Sequence, residues 1–192
     1  MEEDVERSNT GVGVIVLSIL TATLRDRKVF FDRMMNRLYP QLNDQVELLI
    51  ACDSGGKSLG EKMNQLYNAA KGQYVVAVND DDMIPKDYVA RILKAAESQA
   101  DILMGKISQR WTHSEVTILE RFENVLPAKR ILHLKYGVWD EGKDNNYHQD
   151  SNLSRLIESA AETKHWIEGG PIYHHLRRND HKDPMYDFKE DE

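Results

Sequence analysis

The sequence predicts an α/β fold in which a central, mostly parallel sheet is flanked by helices. Runs rich in Val, Ile and Leu recur at 12–20, 46–52 and 74–78, and each has the composition of a strand buried on both faces. A segment with helical spacing of apolar residues follows each run. Three successive strand–helix units are typical of a parallel sheet covered by helices on both sides.

The first unit consists of a strand at 12–20 and a helix at 25–38. Thr21 and Thr23 follow the strand, where we expect the chain to enter a loop. Pro40 ends the helical segment, because proline has no amide hydrogen to donate within a helix. The predicted inward face of this helix comprises Val29, Phe30, Met34 and Leu38.

The second unit has its strand at 46–52 and a turn at 53–56. Ser58 and Glu61 are spaced as in a capping box, which predicts that a helix begins there. Gly72 is expected to end that helix. The predicted inward face comprises Leu59, Met63, Leu66 and Ala70.

The third unit has its strand at 74–78 and a helix at 86–98, and the pattern beyond residue 100 is less regular. The remaining predicted elements are a strand at 102–104, a helix from Asp150 or Ser151 through 162, and a strand at 172–176. The predicted inward faces of the two helices are Val89, Ile92, Leu93 and Ala96, and Leu153, Leu156, Ile157 and Ala160.

Length and composition indicate one globular domain. The 192 residues are 41% hydrophobic, which is enough for one core without disulfides. We predict a flexible N-terminus at 1–10, a first half of the domain at 11–100 and a second half of the same domain at 101–181. An acidic flexible tail is predicted at 182–192.

Cysteine content and charge limit the environment and the partners. The single cysteine, Cys52, is expected to be buried as a small hydrophobe. No signal-like start and no run of about 20 apolar residues occurs, so we expect a cytoplasmic protein without a transmembrane segment. A formal charge of -7 disfavours a surface that binds nucleic acid throughout. This charge is compatible with a local basic patch, formed by the histidines with Lys129, Arg130, Arg177 and Arg178.

The most polar residues of the three units stand at the carboxyl ends of the predicted strands, where open parallel sheets bind ligands. They are Thr21, Thr23, Asp53 and the segment 79–82, Asn-Asp-Asp-Asp. Three consecutive carboxylates repel one another unless a cation or a helix N-terminus offsets their charge. Asp80 and Asp82 are therefore candidates for holding Mn²⁺ or Mg²⁺ against a diphosphate. The alternative is an acidic turn in which Asp82 caps the following helix.

Five segments follow one another in a characteristic order: a strand ending in small polar residues, a strand ending in Asp, a Gly-x-Lys-x-Asn helix, an Ala-Lys-Gly-x-Tyr turn and a strand ending in Asp-Asp-Asp. They occupy 18–23, Asp53, 60–64, 70–74 and 80–82, and Pro85 and Tyr88 follow. In this order the chain resembles the family 2-like GT-A glycosyltransferases over most of its length. The resemblance implies the GT-A fold, a Rossmann-like nucleotide-diphospho-sugar transferase architecture.

The resemblance also implies a nucleotide-sugar donor, with a uridine nucleotide as the default. Residues 11–100 are then the nucleotide-sugar (donor) binding half, and residues 101–181 are the acceptor and catalytic half of the same domain. Asp53 is expected near the base, and Lys62 near the base or the phosphate. With the other strand-end residues, the donor-binding set is Thr21, Thr23, Asp53, Lys62, Asp80 and Asp81. Met63 stands where the family often has Arg. The alternative for Asp53 is a turn residue that binds its own backbone.

An inverting transfer needs a base that takes the proton from the acceptor hydroxyl. The segment 148–153 resembles the family's Glu-Asp-x-x-Leu motif, which implies Asp150 as that base, with Gln149 in place of Glu. The segment 142–144 is a competing match and makes Asp144 the second candidate. The alternative for Asp150 is a helix cap.

The segment 173–181 resembles the family's closing Tyr-x-Tyr-Arg-Arg-x-His segment. The resemblance implies His181 as a third metal ligand, with Arg177 and Arg178 facing the diphosphate. The alternative for His181 is a surface histidine, and the alternative for Arg177 and Arg178 is a solvated strand end. The same segment contains His174 and His175. Because successive residues of a strand point to opposite faces, one of the two is alternatively a core histidine.

These residues together predict an inverting, metal-dependent glycosyltransferase that moves a sugar from a UDP-sugar to an acceptor hydroxyl. One candidate acceptor is hydroxymethylated DNA, because the chain resembles the compact family members carried by bacteriophages that modify their genomes with sugars. The protein would then work in the host cytoplasm. A glycan, polysaccharide, lipid-linked sugar or protein acceptor is an alternative. A second alternative is a catalytically degenerate sugar-nucleotide-binding protein, motivated by Met63 and Gln149.

Overall fold

A computed structural model describes residues 6–8, 13–111, 116–123, 125–136 and 149–177. Its strands are β1 (Glu6–Ser8), β2 (Leu17–Leu24), β3 (Val46–Asp53), β4 (Tyr74–Ala77), β5 (Ile102–Met104), β6 (Ile107–Trp111), β7 (Val116–Leu119), β8 (Ala128–Lys129), β9 (Lys164–Trp166) and β10 (Tyr173–Arg177). Its helices are α1 (Lys28–Leu38), α2 (Leu59–Ala69), α3 (Tyr88–Ala96), α4 (Arg130–Tyr136) and α5 (Gln149–Ala160). Two 3-10 turns lie at Arg25–Arg27 and Tyr39–Gln41.

The central sheet contains seven strands in the order β1-β3-β2-β4-β8-β5-β9. β2 lies between β3 and β4 and is parallel to both. β8 pairs antiparallel with β4 and with β5, so β5 runs in the same direction as β4, and β9 is parallel to β5. The predicted α/β fold with a mostly parallel central sheet is therefore confirmed. β1 places Glu6–Ser8 against β3, within the segment predicted to be a flexible N-terminus.

A smaller sheet of three strands lies beside the central one. Of its strands only β10 was predicted, as the strand at 172–176, whereas β6 and β7 were not. Its order is β10-β6-β7, with β10 parallel and β7 antiparallel to β6. A single antiparallel bridge joins Met83 to His174 in β10. This bridge attaches the smaller sheet to the segment that follows β4.

The start of α2 is fixed by the predicted capping box. Ser58 Oγ accepts a hydrogen bond from the Glu61 amide at 3.1 Å, and Glu61 Oε2 accepts one from the Ser58 amide at 2.6 Å. These bonds satisfy amide groups that have no partner within the first helical turn. α2 packs against β2 and β3, and in the described part of the chain no helix is long and apolar enough to cross a membrane.

The first strand differs from its prediction at both ends. β2 begins at Leu17 rather than at residue 12 and continues through Thr21 and Thr23 to Leu24, where a loop was expected. The reason is that β3 pairs with β2 along its whole length, up to Leu24 opposite Asp53. Backbone pairing on this scale keeps the polar residues in the strand despite their side chains.

Several side chains that were predicted to face the core are exposed. Val29 lies five positions before the buried Met34, which at about 100° per residue puts it on a different face of α1. Leu59 is the first residue of α2, whose buried positions begin at Gly60. The other two exposed residues are Leu156 in α5 and Cys52 in β3, so the prediction of a buried cysteine is wrong.

The turn before β4 depends on a close approach of Gly72 to β2. A Cβ at this position would lie 2.6 Å from the Ser18 amide nitrogen, so a side chain does not fit without backbone movement. The Gly72 amide donates to Ser18 Oγ at 2.8 Å, and that hydroxyl donates to Glu47 Oε1 at 2.6 Å. Position 72 of the Ala-Lys-Gly-x-Tyr turn therefore requires glycine for steric reasons.

His133 in α4 is buried and stacks on Tyr67 with 4.5 Å between the ring centroids. Neither ring nitrogen has a hydrogen-bond partner within the described residues. Burial lowers the pKa of His133 to about 3, because the charged imidazolium would be desolvated there. The folded protein therefore holds this ring neutral at any pH near neutrality.

We expect acid to destabilise the fold partly through His133. In the unfolded chain His133 is protonated below its ordinary pKa of 6.5, whereas in the folded protein it is protonated only below about pH 3. The free energy of unfolding should therefore fall as the pH drops through this window. Between pH 7 and pH 5 the loss is about 2 kcal/mol, because the slope reaches about 1.4 kcal/mol per pH unit only well below the ordinary pKa.

Urea unfolding of His133→Leu at pH 7 and pH 5 tests this expectation. The variant should lose about 2 kcal/mol less between the two pH values than the wild type. His165→Leu, which removes an exposed histidine, is the control and should behave like the wild type. If His133→Leu showed the same pH dependence as the wild type, the assignment of the acid sensitivity to His133 would be contradicted.

Candidate functional site

The carboxyl ends of β2, β3 and β4 bring the polar strand-end residues to one edge of the central sheet. Thr23 lies near the end of β2, Asp53 ends β3, and the segment 80–82, here called the acidic turn, follows β4. Thr23 Oγ1 donates a hydrogen bond to Asp80 Oδ2 at 2.6 Å. Residues far apart in the sequence thus meet as expected.

Asp53 forms a buried ion pair with Lys62 of α2. Lys62 Nζ lies 2.9 Å from Asp53 Oδ1 and also donates to the Thr23 carbonyl at 3.0 Å. The Lys57 amide donates to Asp53 Oδ2 at 2.7 Å. Burial alone would raise the pKa of Asp53, but hydrogen bonds from Lys62 and from the amides of Lys57 and Gly55 lower it to about 2. Asp53 is therefore charged, and Lys62 supplies its countercharge.

Asp80 and Asp81 share one guanidinium group, that of Arg27 in the 3-10 turn after β2. Arg27 Nε donates to Asp80 Oδ2 at 2.8 Å, and its Nη2 donates to Asp80 Oδ1 at 2.7 Å. The same Nη2 lies 2.8 Å from Asp81 Oδ2. Hydrogen bonding to Asp80 outweighs burial and raises the pKa of Arg27 above its ordinary value. Asp80 is buried, whereas the side chain of Asp81 is 31% exposed.

Asp82 points away from solvent and is bound by β10. Its carboxylate accepts hydrogen bonds from the Leu176 amide at 2.9 Å and from the Tyr173 hydroxyl at 3.1 Å. Asn79 Nδ2 donates to it at 2.9 Å, and His175 Nδ1 lies 3.0 Å from it. The alternative in which Asp82 caps the next helix is wrong. α3 begins only at Tyr88, and the Asp82 carboxylate is bound by residues of β10.

His175 bridges two carboxylates, Asp82 through Nδ1 and Glu123 through Nε2, the latter at 2.9 Å. Burial opposes a charge on the ring, but hydrogen bonds to the two carboxylates outweigh it and raise the pKa of His175 to about 9. The ring therefore carries a proton on each nitrogen at neutral pH and donates to both partners. His175 is buried, as in the alternative that makes it a core histidine. That alternative did not include its contacts with the two carboxylates.

A divalent ion at the acidic turn would need several carboxylate oxygens that face a common point. Asp80 accepts from Thr23 and twice from Arg27, and Asp82 is bound by four protein groups. Within the described ranges no three acidic, histidine or cysteine side chains are grouped as metal ligands. The conformation described here does not fit a bound metal, and Mn²⁺ or Mg²⁺ at Asp80 and Asp82 stays a prediction.

The other predicted site residues are placed only in part. Thr21 is fully buried, and its hydroxyl donates to the Val78 carbonyl at 3.0 Å, so it supports the sheet and does not face a ligand. Asp150 is the second residue of α5, which begins at Gln149. Arg177 ends β10, and for it and Asp150 only the backbone is described. Three predicted residues lie outside the described residues, namely Asp144, Arg178 and His181.

Four side chains that bind the carboxylates of this edge or each other were absent from the predicted site: Arg27, Glu123, Tyr173 and His175, the last of which was named only as an alternative core residue. A signal for Arg27 existed, since three adjacent carboxylates require countercharge and two arginines, Arg25 and Arg27, lie shortly after the strand predicted at 12–20. Nothing in the sequence pattern marks Glu123, because it lies between two strands that were not predicted.

No family model and no curated protein matches this sequence. Solved structures do match its fold. The structure of S. aureus TarS 1-349 gives a TM-score of 0.65 at 11% sequence identity, covering 84% of this chain and 60% of that chain. The same TarS fragment in complex with UDP gives 0.66 at 11% identity, with 84% and 60% covered. In complex with UDP-GlcNAc it gives 0.67 at 11% identity, with 91% and 62% covered.

The fold is that of a GT-A glycosyltransferase. The chain spans about three fifths of the TarS structures that it matches. The GT-A fold explains why the donor-site candidates lie at the carboxyl edge of β2, β3 and β4, since this edge is where open parallel sheets bind ligands.

We expect Lys62→Met to destabilise the protein by about 3–5 kcal/mol, because it leaves the Asp53 carboxylate buried without its cation. Adding Asp53→Asn to Lys62→Met should recover part of this loss, since no buried charge then remains. Urea unfolding of the three proteins at pH 7 measures both effects. Lys57→Met is the control, because its ammonium lies outside the buried pair, and a Lys62→Met loss no larger than the control's would contradict the expectation.

Proposed function

We propose that this chain is a glycosyltransferase that takes a sugar from a nucleoside-diphosphate donor, UDP-sugar being the first candidate, and transfers it with inversion to an acceptor hydroxyl. The observation that carries the proposal is the GT-A fold with a buried Asp53–Lys62 pair and an acidic turn at the same sheet edge. The TarS structures that share the fold were solved with UDP and with UDP-GlcNAc.

The donor half of the proposal rests on Asp53, Lys62 and Asp81. A carboxylate held in its charged form, as Asp53 is, accepts hydrogen bonds from the N–H group of a uracil ring. Lys62 holds that carboxylate in place, and Asp81 has a half-exposed carboxylate on the solvent side of the acidic turn. No step of the proposal uses a metal ion; a requirement for Mn²⁺ or Mg²⁺ stays a prediction.

The acceptor half rests on fewer observations. Asp150 near the start of α5 is the first candidate for the base that deprotonates the acceptor, and Asp144 is the second. Lys129, one residue of the suggested DNA-facing patch, is paired with Asp101 at 3.0 Å and so is not a free surface cation. Together with the charge of -7 this favours a glycan or polysaccharide acceptor over hydroxymethylated DNA.

The donor assignment predicts that the protein binds UDP and that Asp53→Ala weakens binding by about tenfold or more, which is about 1.4 kcal/mol. Calorimetric titration with UDP, ADP and GDP, each with and without Mn²⁺, measures this. Asp87→Ala, at an exposed carboxylate before α3, is the control and should bind like the wild type. Absence of UDP binding by the folded wild type under both conditions would overturn the UDP assignment.

The base assignment predicts that Asp150→Asn slows sugar transfer by about 10²–10⁴-fold and leaves UDP binding unchanged. Transfer from UDP-GlcNAc and other UDP-sugars to glycan and DNA acceptors is followed by mass spectrometry. A loss in Asp144→Asn instead would move the role to Asp144, and activity of both variants equal to wild type would remove both. Wild type that binds UDP but transfers no sugar would favour the catalytically degenerate binding protein.

A further inference from the structure

The acidic turn has its own cation. Asp80 and Asp81 both contact the guanidinium of Arg27 at 2.7–2.8 Å, and the contact with Asp80 is bidentate. Paired, charge-assisted hydrogen bonds of this kind are about twice as strong as neutral ones. The repulsion between adjacent carboxylates, which led to the expectation of a metal ion, is thus offset by the protein itself.

The position of Arg27 is fixed from several sides. It belongs to the 3-10 turn Arg25–Arg27 that directly follows β2, and its guanidinium lies 5.3 Å from the centroid of the Phe30 ring. Its side chain is only 27% exposed. Arg33 of α1 donates from Nη2 to the Asp81 carbonyl at 2.6 Å, which holds the turn against the same segment.

We propose that Arg27 is the resident cation of the acidic turn and that a divalent metal ion reaches Asp80 and Asp81 only by displacing it. The two cations compete because both need the same carboxylate oxygens. Arg27 is then a positioning residue that holds the turn in the metal-free protein and sets its metal affinity. This proposal rests on the geometry of the turn and not on transferase activity, so its test uses the metal alone.

The test is a titration of the nucleotide-free protein with Mn²⁺, in which free Mn²⁺ is followed by electron paramagnetic resonance and the melting temperature is recorded in parallel. Arg27→Gln removes the competing charge and leaves the buried Asp80 carboxylate without its cation, so it should bind one Mn²⁺ at least about tenfold more tightly than the wild type. Its melting temperature should rise with Mn²⁺ more than that of the wild type, because the metal replaces a missing countercharge. Adding Asp80→Asn to Arg27→Gln should abolish the gain.

Arg25→Gln is the matched control, since it removes an exposed arginine two residues away in the same turn. It should bind Mn²⁺ like the wild type. A gain in Arg25→Gln equal to that in Arg27→Gln would show a general charge effect and overturn the proposal. Mn²⁺ affinity of Arg27→Gln equal to or below that of the wild type would overturn it as well.

Arg27→Lys decides the matter if Arg27→Gln does not fold. Lysine keeps the charge but lacks the planar fork that binds Asp80 through two nitrogens, so it should compete less well. Mn²⁺ affinity above that of the wild type supports the proposal, and equal affinity contradicts it. UDP binding is measured separately, so failure of the donor assignment leaves this result readable.

Discussion

Opposite charges supplied by the chain itself hold the carboxyl edge of the central sheet together. Asp53 is paired with Lys62, Asp80 and Asp81 with Arg27, and Asp82 with the protonated His175. Buried carboxylates without such partners would lose several kcal/mol each through desolvation, so the edge could not form with the carboxylates alone. Each cation comes from a different element, Lys62 from α2, Arg27 from the 3-10 turn after β2 and His175 from β10, so the edge depends on the packing of all three.

The smaller sheet is part of this arrangement. β10 supplies the Tyr173 hydroxyl, the His175 ring and the Leu176 amide to a single carboxylate, that of Asp82. The backbone bridge between Met83 and His174 holds the same segment one residue further along. The acidic turn is therefore fixed by Arg27 on one side and by β10 on the other, and its three carboxylates are not equivalent. Asp81, the half-exposed one, is the carboxylate best placed to meet a ligand.

Sequence patterns predicted the parts of the fold that local composition determines. The three strand–helix units were found because each strand is a continuous apolar run, and the start of α2 was found because Ser58 and Glu61 are spaced for mutual capping. The short strands β6 to β9 were not predicted, since runs of two to five residues carry too little periodicity to separate a strand from a loop.

The candidate site was predicted as a location but not as a network. Strand ends identify where carboxylates gather, whereas their partners come from far along the chain: Arg27 precedes Asp80 by 53 residues, and His175 follows Asp82 by 93. No local pattern specifies such pairings. The expectation that Thr21 and Thr23 leave the sheet failed for a related reason, because pairing with β3 outweighs the weak tendency of polar residues to end a strand.

The placement of Cys52 gives this edge a natural point of attachment for a probe. It is the single cysteine of the sequence, it is exposed, and it directly precedes Asp53 in β3. Successive residues of a strand point to opposite faces of the sheet, so a fluorophore or spin label on its thiol would lie next to the Asp53–Lys62 pair without occupying the same face. Movements of the edge could then be followed spectroscopically in the native sequence, with no cysteine introduced or removed.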